Sequence, residues 1–307
     1  MKIQGIGLPF SYHQSSCSCR KPKNFEWTEE ESDIEVWVDM AIPSAIGVPK
    51  PDGKKRYAWI CESRAIVPLL RKAFEQEDLF NDIVDSYDAI FTCEKELVDK
   101  HEKIHFCFVG SNLPWTKEEN YGIYDKQHFV STSFCSSSKK LCEGHMLRHD
   151  LLEEIRYSLI RAGTQKINTF GNIVGNPVGS VEISLPGRFP LESSDWHDKS
   201  EFLYKYMFSV IMENDKYDTY FTEKITDCFA TGTIPLYYGT KDIGKYFNTD
   251  GIIMLHGTPK QMQSTIDQVS VSMYEQRIDA IKDNLERVKN LQMADDMLFD
   301  KIQELNS

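Results

Sequence analysis

The chain predicts an α/β fold of two parallel sheets with helices over their faces. Three observations carry this. Strand-type and helix-type hydrophobic periods alternate twice along the sequence, a polar, lysine-bearing turn at Ser136 to Gly144 separates the two series, and from Pro259 onward only the helical period remains. At 307 residues the length suffices for one large domain or for two medium ones, each with its own core.

Residues 1–33 are polar and irregular and end in the acidic run Glu29-Glu30-Glu31, so no regular element is expected there. Ile34 to Asp39 alternates apolar and polar residues rich in β-formers, and after a Pro- and Gly-rich loop from Pro43 to Gly53 a second strand is expected at Arg56 to Cys61. Val67 to Phe80 has helical spacing, Tyr87 to Thr92 and Ile104 to Val109 read as strands, and Glu94 to His101 is a short helix between them. The loop Ser111 to Gln127 leads to a strand at Phe129 to Phe134. A helix from His145 to Ala162 then puts Leu147, Leu151, Leu152 and Ile155 on one face and Arg148 in its first turn. The second series continues with strand Ile167 to Phe170, a Gly-, Asn- and Pro-rich loop to Pro190, helix Ser194 to Lys205 and strand Tyr206 to Met212. Helix Thr222 to Thr231 and strands Ile234 to Gly239 and Ile252 to Leu255 complete it. Beyond them the stripe Ile278, Ile281, Leu285, Val288 and Leu291 predicts one long amphipathic helix packing across the rest. The division expected is therefore two Rossmann-like domains facing across a cleft, 1–140 and 141–270, with 271–307 as the C-terminal helix.

Hydrophobic residues at 41% and charged residues at 27% are ordinary for a globular chain. A formal charge of -12 and a pI near 5.2 oppose nonspecific binding to nucleic acid or to anionic membrane, because either surface would repel the average field. The sequence has no apolar run of about 18 residues, and its first residues lack the basic-then-apolar layout of a signal peptide. A cytoplasmic protein with reduced cysteines is the expectation. The spacing Cys142-x-x-His145-x-x-x-His149, with Cys135, is metal-like, but the paired Cys-x-x-Cys of a structural zinc site is missing. No Asp-x-Asp follows an apolar strand, so no metal or other cofactor is called for.

The densest signal runs from Tyr204 to Gly239. A hydrophobic strand ends in Met212-Glu213-Asn214, a polar loop follows, and Thr222-Glu223-Lys224 opens a helix. In an open α/β sheet, ligands sit beyond the carboxyl ends of strands, and this stretch puts two carboxylates, an amide, Tyr220 and a lysine there. Thr222 suits an N-cap. The positive end of the helix it starts, with Lys224 in the first turn, favours an anion such as a diphosphate. Taken alone, Thr-Glu-Lys is also what an ordinary surface helix shows.

The whole string, through Tyr204-Lys205-Tyr206, Glu213-Asn214, Tyr220-Phe221-Thr222-Glu223-Lys224 and Gly232-Thr233-Ile234-Pro235, resembles the signature of glycosyltransferase family 10, the α1,3/α1,4-fucosyltransferases. That resemblance implies a GT-B-type fold whose C-terminal domain binds GDP-fucose and whose N-terminal domain serves the acceptor. Glu213, Asn214, Tyr220, Thr222 and Glu223 would hold the nucleotide sugar, and Lys224 its diphosphate. Gly144-His145-Met146-Leu147-Arg148 looks like the setting of the family's diphosphate-binding arginine, which makes Arg148 a candidate; the alternative is an arginine on a solvated helix start. Tyr57-Ala58-Trp59-Ile60-Cys61-Glu62 resembles the strand that ends in the family's general base, which puts Glu62 in that role; a structural glutamate at a strand end is the other reading.

The implied reaction is an inverting transfer of fucose to a glycan hydroxyl, with Glu62 as base and Arg148 and Lys224 stabilising the leaving GDP. Thr240-Lys241 and Asn248 to Gly251 depart from the family pattern, where donor choice would be set. The competing readings are the same fold with another nucleotide sugar, a glycosidase using Glu213 and Glu223 as paired carboxylates, and a nucleotide- or glycan-binding module without catalysis.

Overall fold

The computed structural model describes residues 1–8, 15–17, 19–126, 132–137, 139–162, 167–170 and 203–307. Its chain divides into two compact units: unit 1 comprises Met1–Leu113, Tyr217–Thr222 and Gln292–Ser307, and unit 2 comprises Pro114–Lys216 and Glu223–Leu291.

Unit 1 holds six parallel strands, β1 (Lys2–Ile6), β2 (Glu26–Thr28), β3 (Ile34–Val38), β4 (Lys55–Trp59), β5 (Ala89–Thr92) and β6 (Ile104–Phe106), in the order β2-β1-β3-β4-β5-β6. The first two correct the irregular reading of residues 1–33. They are five and three residues long, and in β1 only Ile3 is fully buried, so neither carries enough alternation to register as a period. The helix expected over Val67 to Phe80 is two helices, α1 (Pro68–Glu75) and α2 (Glu77–Ser86), because Gln76 between them is extended at φ -94°, ψ 119°. α3 (Lys95–Val98) lies between β5 and β6. Ile42, Ala58, Leu70, Phe74, Phe80, Ile83 and Ile90 form the core beneath the helices.

Unit 2 holds β7 (Thr132–Cys135), β8 (Ile167–Phe170), β9 (Phe208–Met212), β10 (Ile234–Tyr238) and β11 (Ile253–Met254), parallel throughout and ordered β11-β10-β9-β7-β8. Among the described residues its helices are α4 (Glu143–Ala162), α5 (Glu223–Ala230), α6 (Pro259–Gln268), α7 (Val271–Glu275) and α8 (Ile278–Lys289). Phe134, Leu151, Ile155, Phe208, Val210, Ile234, Leu236 and Met262 fill its core. The expected helix Ser194 to Lys205 and the loop before it lie almost wholly outside the described residues, as does the start of the strand placed at Phe129.

The single C-terminal helix expected over 271–307 is a correction as well. That stretch is α7, α8 and a last helix, α9 (Ala294–Asn306), with the first break at Arg277 and the second at Asn290 to Met293. Unit 2 keeps α7 and α8, whereas α9 belongs to unit 1. There the buried Asp295 carboxylate accepts from Trp27 Nε1 at 2.8 Å and from Ser16 N at 3.1 Å, and Asn112 binds Gln292 O and the amide of Ala294. Among the described residues no helix is long and apolar enough to cross a membrane, and no cysteine forms a disulfide.

In both sheets the first strand lies between the second and the third, the doubly wound order that creates a switch point where successive connections leave in opposite directions. In open α/β sheets, ligands bind beyond the carboxyl ends of the strands at such a point.

Candidate functional site

In unit 2 the switch point falls between β7 and β9. All five residues of β9 are buried, paired to β10 on one side and β7 on the other, so Glu213 and Asn214 leave the sheet at its middle. The helix that follows β7, α4, begins against them. A Cβ on Gly144 would stand 2.4 Å from Glu213 O and 2.6 Å from Asn214 O, so only glycine lets the helix start approach that backbone. One turn on, Arg148 is buried; its Nε donates to Met212 O at 3.1 Å, and its Nη2 donates to the same carbonyl at 2.5 Å and to Asn214 Oδ1 at 2.7 Å. Nη1 has no hydrogen-bond partner among the described residues. An arginine tied to a strand end in this way is not the solvated alternative.

α5 is no surface helix either. Every residue of it is buried except Lys224. The Lys224 ammonium lies 3.5 Å from Glu213 Oε2 and 3.5 Å from Glu223 Oε1, with 24% of its side chain exposed against none of Glu213's. Two cations, Lys224 from the first turn of α5 and Arg148 from the second turn of α4, thus flank one dipeptide, Glu213-Asn214; the helix of Arg148 starts at Glu143, two residues before the expected His145, which moves Arg148 out of the first turn. Their field is felt by His145, whose ring is held down at about 4, first by burial and then by Arg148, Lys139 and Lys224. The ring is neutral at pH 7, and because Nδ1 accepts the Leu141 amide, the proton sits on Nε2. The Tyr237 hydroxyl is pushed far up by burial and by the Glu213 charge.

The Gly232 to Pro235 part of the motif serves the scaffold. Gly232 takes φ +64° to turn from α5 into β10, its carbonyl accepts from Tyr274 Oη at 2.8 Å, and the Thr233 hydroxyl bonds Leu203 O. Lys126 donates to Thr231 O and Thr233 Oγ1, and burial lowers its ammonium to about 7.

Tyr220 and Thr222 belong to the short segment of unit 1 inserted between Lys216 and Glu223. Both are buried. The segment is fastened by Arg64, which pairs with Glu94 at 2.5 Å and lies over the Tyr217 ring at 5.7 Å, by Thr219 Oγ1 donating to Cys93 O at 2.6 Å, and by the Phe108–Phe221 ring contact. Thr219 adopts φ +69°, which for a β-branched residue costs on the order of 1–3 kcal/mol. Tyr220 Oη stands 3.5 Å from Glu62 Oε2. Glu62 itself lies just past β4 and is half-buried.

Beside it is a residue that the sequence did not single out. Asp39, just past β3, is buried, and its Oδ1 accepts the amides of Cys61 at 2.8 Å and Glu62 at 3.1 Å. Burial and then the charge of Glu62 push the Asp39 carboxyl up to about 7. The signal in hand was an acid at the end of an alternating strand, which is common; what distinguishes Asp39 is its partner 23 residues away.

No family model matches the chain. A stretch of 72 residues is 36% identical to alpha-(1,3)-fucosyltransferase FucT of Helicobacter pylori, covering 24% of this chain and 15% of that protein. Among solved structures, TarM aligns with a TM-score of 0.51 at 10% identity, over 91% of this chain and 56% of its own. The fold is GT-B-like. An alpha1,3-fucosyltransferase with GDP-fucose gives 0.49 at 14% identity, over 91% of this chain and 81% of that one. The chain thus spans less than two thirds of both FucT and TarM in these matches.

Proposed function

We propose that the chain is a glycosyltransferase of the α1,3-fucosyltransferase type, moving fucose from GDP-fucose to a hydroxyl of a glycan with inversion. The observation that carries this reading is the meeting of Arg148 and Lys224 at Glu213-Asn214, beyond the middle of a parallel sheet. Two fixed cations, one at a helix start and one a turn further along its helix, suit a pyrophosphate, and as it leaves they stabilise the charge that develops on it, so no metal is required. A glycosidase would need its two carboxylates to work on an oxocarbenium ion, and a lysine within 3.5 Å of both Glu213 and Glu223 opposes that use.

In this reading Glu213, Asn214, Tyr220, Thr222 and Glu223 hold the sugar and ribose by hydrogen bonds. Glu62 takes the proton of the acceptor hydroxyl while its oxygen forms a bond to the anomeric carbon. The bond from that carbon to the phosphate oxygen breaks, and GDP leaves with the electron pair. The 36% identity to FucT over 72 residues supports the donor class.

Calorimetry with GDP-fucose, GDP-mannose and a UDP-sugar, on the native chain and on Arg148→Ala and Lys224→Ala, tests it. GDP-fucose is expected to bind most tightly and to weaken at least tenfold in each variant. Tighter binding of a UDP-sugar would reassign the donor, and unchanged affinity in both variants would remove the reading.

A further inference from the structure

Unit 1 has its own switch point, between β1 and β3, and Asp39 stands at the β3 side of it. β3 and β4 run parallel with Val38 beside Trp59, so the residues just past the two strands are neighbours in space. The Asp39 side chain uses this. Its Oδ1 receives both amides of the Cys61–Glu62 step, and the backbone of Asp39 turns to φ +46° to deliver it, one of three non-glycine residues with positive φ among the described residues. Aspartate is among the few side chains that tolerate this conformation.

A carboxylate is a poor choice for a merely structural clamp here. It is buried next to another carboxylate, an arrangement whose charge repulsion an asparagine of the same shape would avoid. The group acting on Asp39 besides the two amides is Glu62; the buried Cys61 thiol faces Asp39, Glu62 and, from α9, Asp295; the Tyr220 hydroxyl faces Glu62. All three carboxylates carry the same sign.

We propose that Asp39 is a positioning residue for Glu62, holding its amide in place and, once ionised, adding a second negative charge that makes Glu62 a stronger proton acceptor. The proposal rests on the reading of Glu62 as the base. It deepens that reading by naming what makes a half-exposed glutamate basic enough to accept a hydroxyl proton. Since Asp39 titrates near 7, the pair releases its protons as a coupled system, and the second charge is present on the alkaline side.

Asp39→Asn separates the two parts of the role, because asparagine tolerates the same backbone and its carbonyl oxygen accepts from both amides, while the charge is gone. Transfer rates for this variant should keep the donor KM, lose about tenfold in kcat, and show an acidic limb displaced by roughly one pH unit to lower pH. Asp39→Ala, which also removes the clamp, should lose more. A carbon-13 carboxyl titration of Glu62, assigned by the resonance missing in Glu62→Gln, should show an inflection near 7 in the native chain, where Asp39 ionises beside it, and lose that inflection in Asp39→Asn. If Glu62→Gln transfers sugar at the native rate, the base reading fails, and the titration still reports whether Asp39 acts on Glu62. An unmoved acidic limb together with a Glu62 inflection near 7 that persists in Asp39→Asn would overturn the proposal.

Discussion

The two units share a doubly wound strand order and both raise polar side chains at the switch point, yet they raise opposite charges. Unit 2 gathers Arg148, Lys224 and a neutral His145 around the end of β9. Unit 1 gathers Asp39 and Glu62 past β3 and β4. The architecture supplies a place for a ligand and is indifferent to its chemistry; the residues just past each strand decide whether that place attracts an anion or a proton. In unit 2 Glu213 and Glu223 offset the Lys224 charge. In unit 1 the groups among the described residues that act on Asp39 are the amides of Cys61 and Glu62 and the charge of Glu62, which bears the same sign.

This contrast breaks first at Glu62. In Glu62→Gln, kcat for sugar transfer should fall by about 10²- to 10⁴-fold with donor affinity nearly unchanged, as the loss of a general base requires. Steady-state rates together with donor calorimetry check both halves, and a parallel loss of donor binding would blur the distinction between the units. Next come the cations, since Arg148→Ala and Lys224→Ala should each lower kcat/KM about 10²-fold or more while weakening donor binding. Lys224→Ala also leaves the buried Glu213 carboxylate without the ion pair at 3.5 Å, so thermal unfolding should register a loss of up to a few kcal/mol.

A smaller effect sharpens the geometry of unit 2. Gly144→Ala forces a Cβ to within 2.4 Å of a backbone oxygen that cannot yield as a flexible side chain would, and should cost about 1–3 kcal/mol of stability in denaturant titration while weakening donor binding. The least effect concerns pH. His145 is held at about 4 in the folded chain against an ordinary 6.5, so between those values the unfolded chain binds more protons, and stability falls as pH is lowered through that window. His145→Gln should flatten this slope by on the order of 2 kcal/mol between pH 7 and pH 4, measured as unfolding free energy against pH.

Much of the frame was legible because its signals are local. Strands such as Ile34–Val38 and Phe208–Met212 and helices such as Glu143–Ala162 announce themselves by period, within a residue or two of where they lie. Short elements were not legible: β1 and β2 are too brief to show a period, and the breaks at Gln76 and after Lys289 interrupt apolar stripes that continue across them. Of the site, Glu213, Asn214, Glu223 and Lys224 fell in one stretch of sequence and could be read together. His145 drew notice for a metal-like spacing and as a member of the string that ends in Arg148, although its nearness to both cations gives it a different character.

The sequence by itself determined the α/β alternation and the clustering of anion-seeking residues between Tyr204 and Gly239, because hydrophobic period and short-range spacing are properties of neighbouring residues. Tertiary structure alone decided that Arg148 bonds Asn214, 66 residues on, that α5 is buried, and that Asp39 receives the amide of Glu62. Those facts depend on strand order and on the approach of a helix start to a strand end, which register and close packing fix in space and no local pattern encodes.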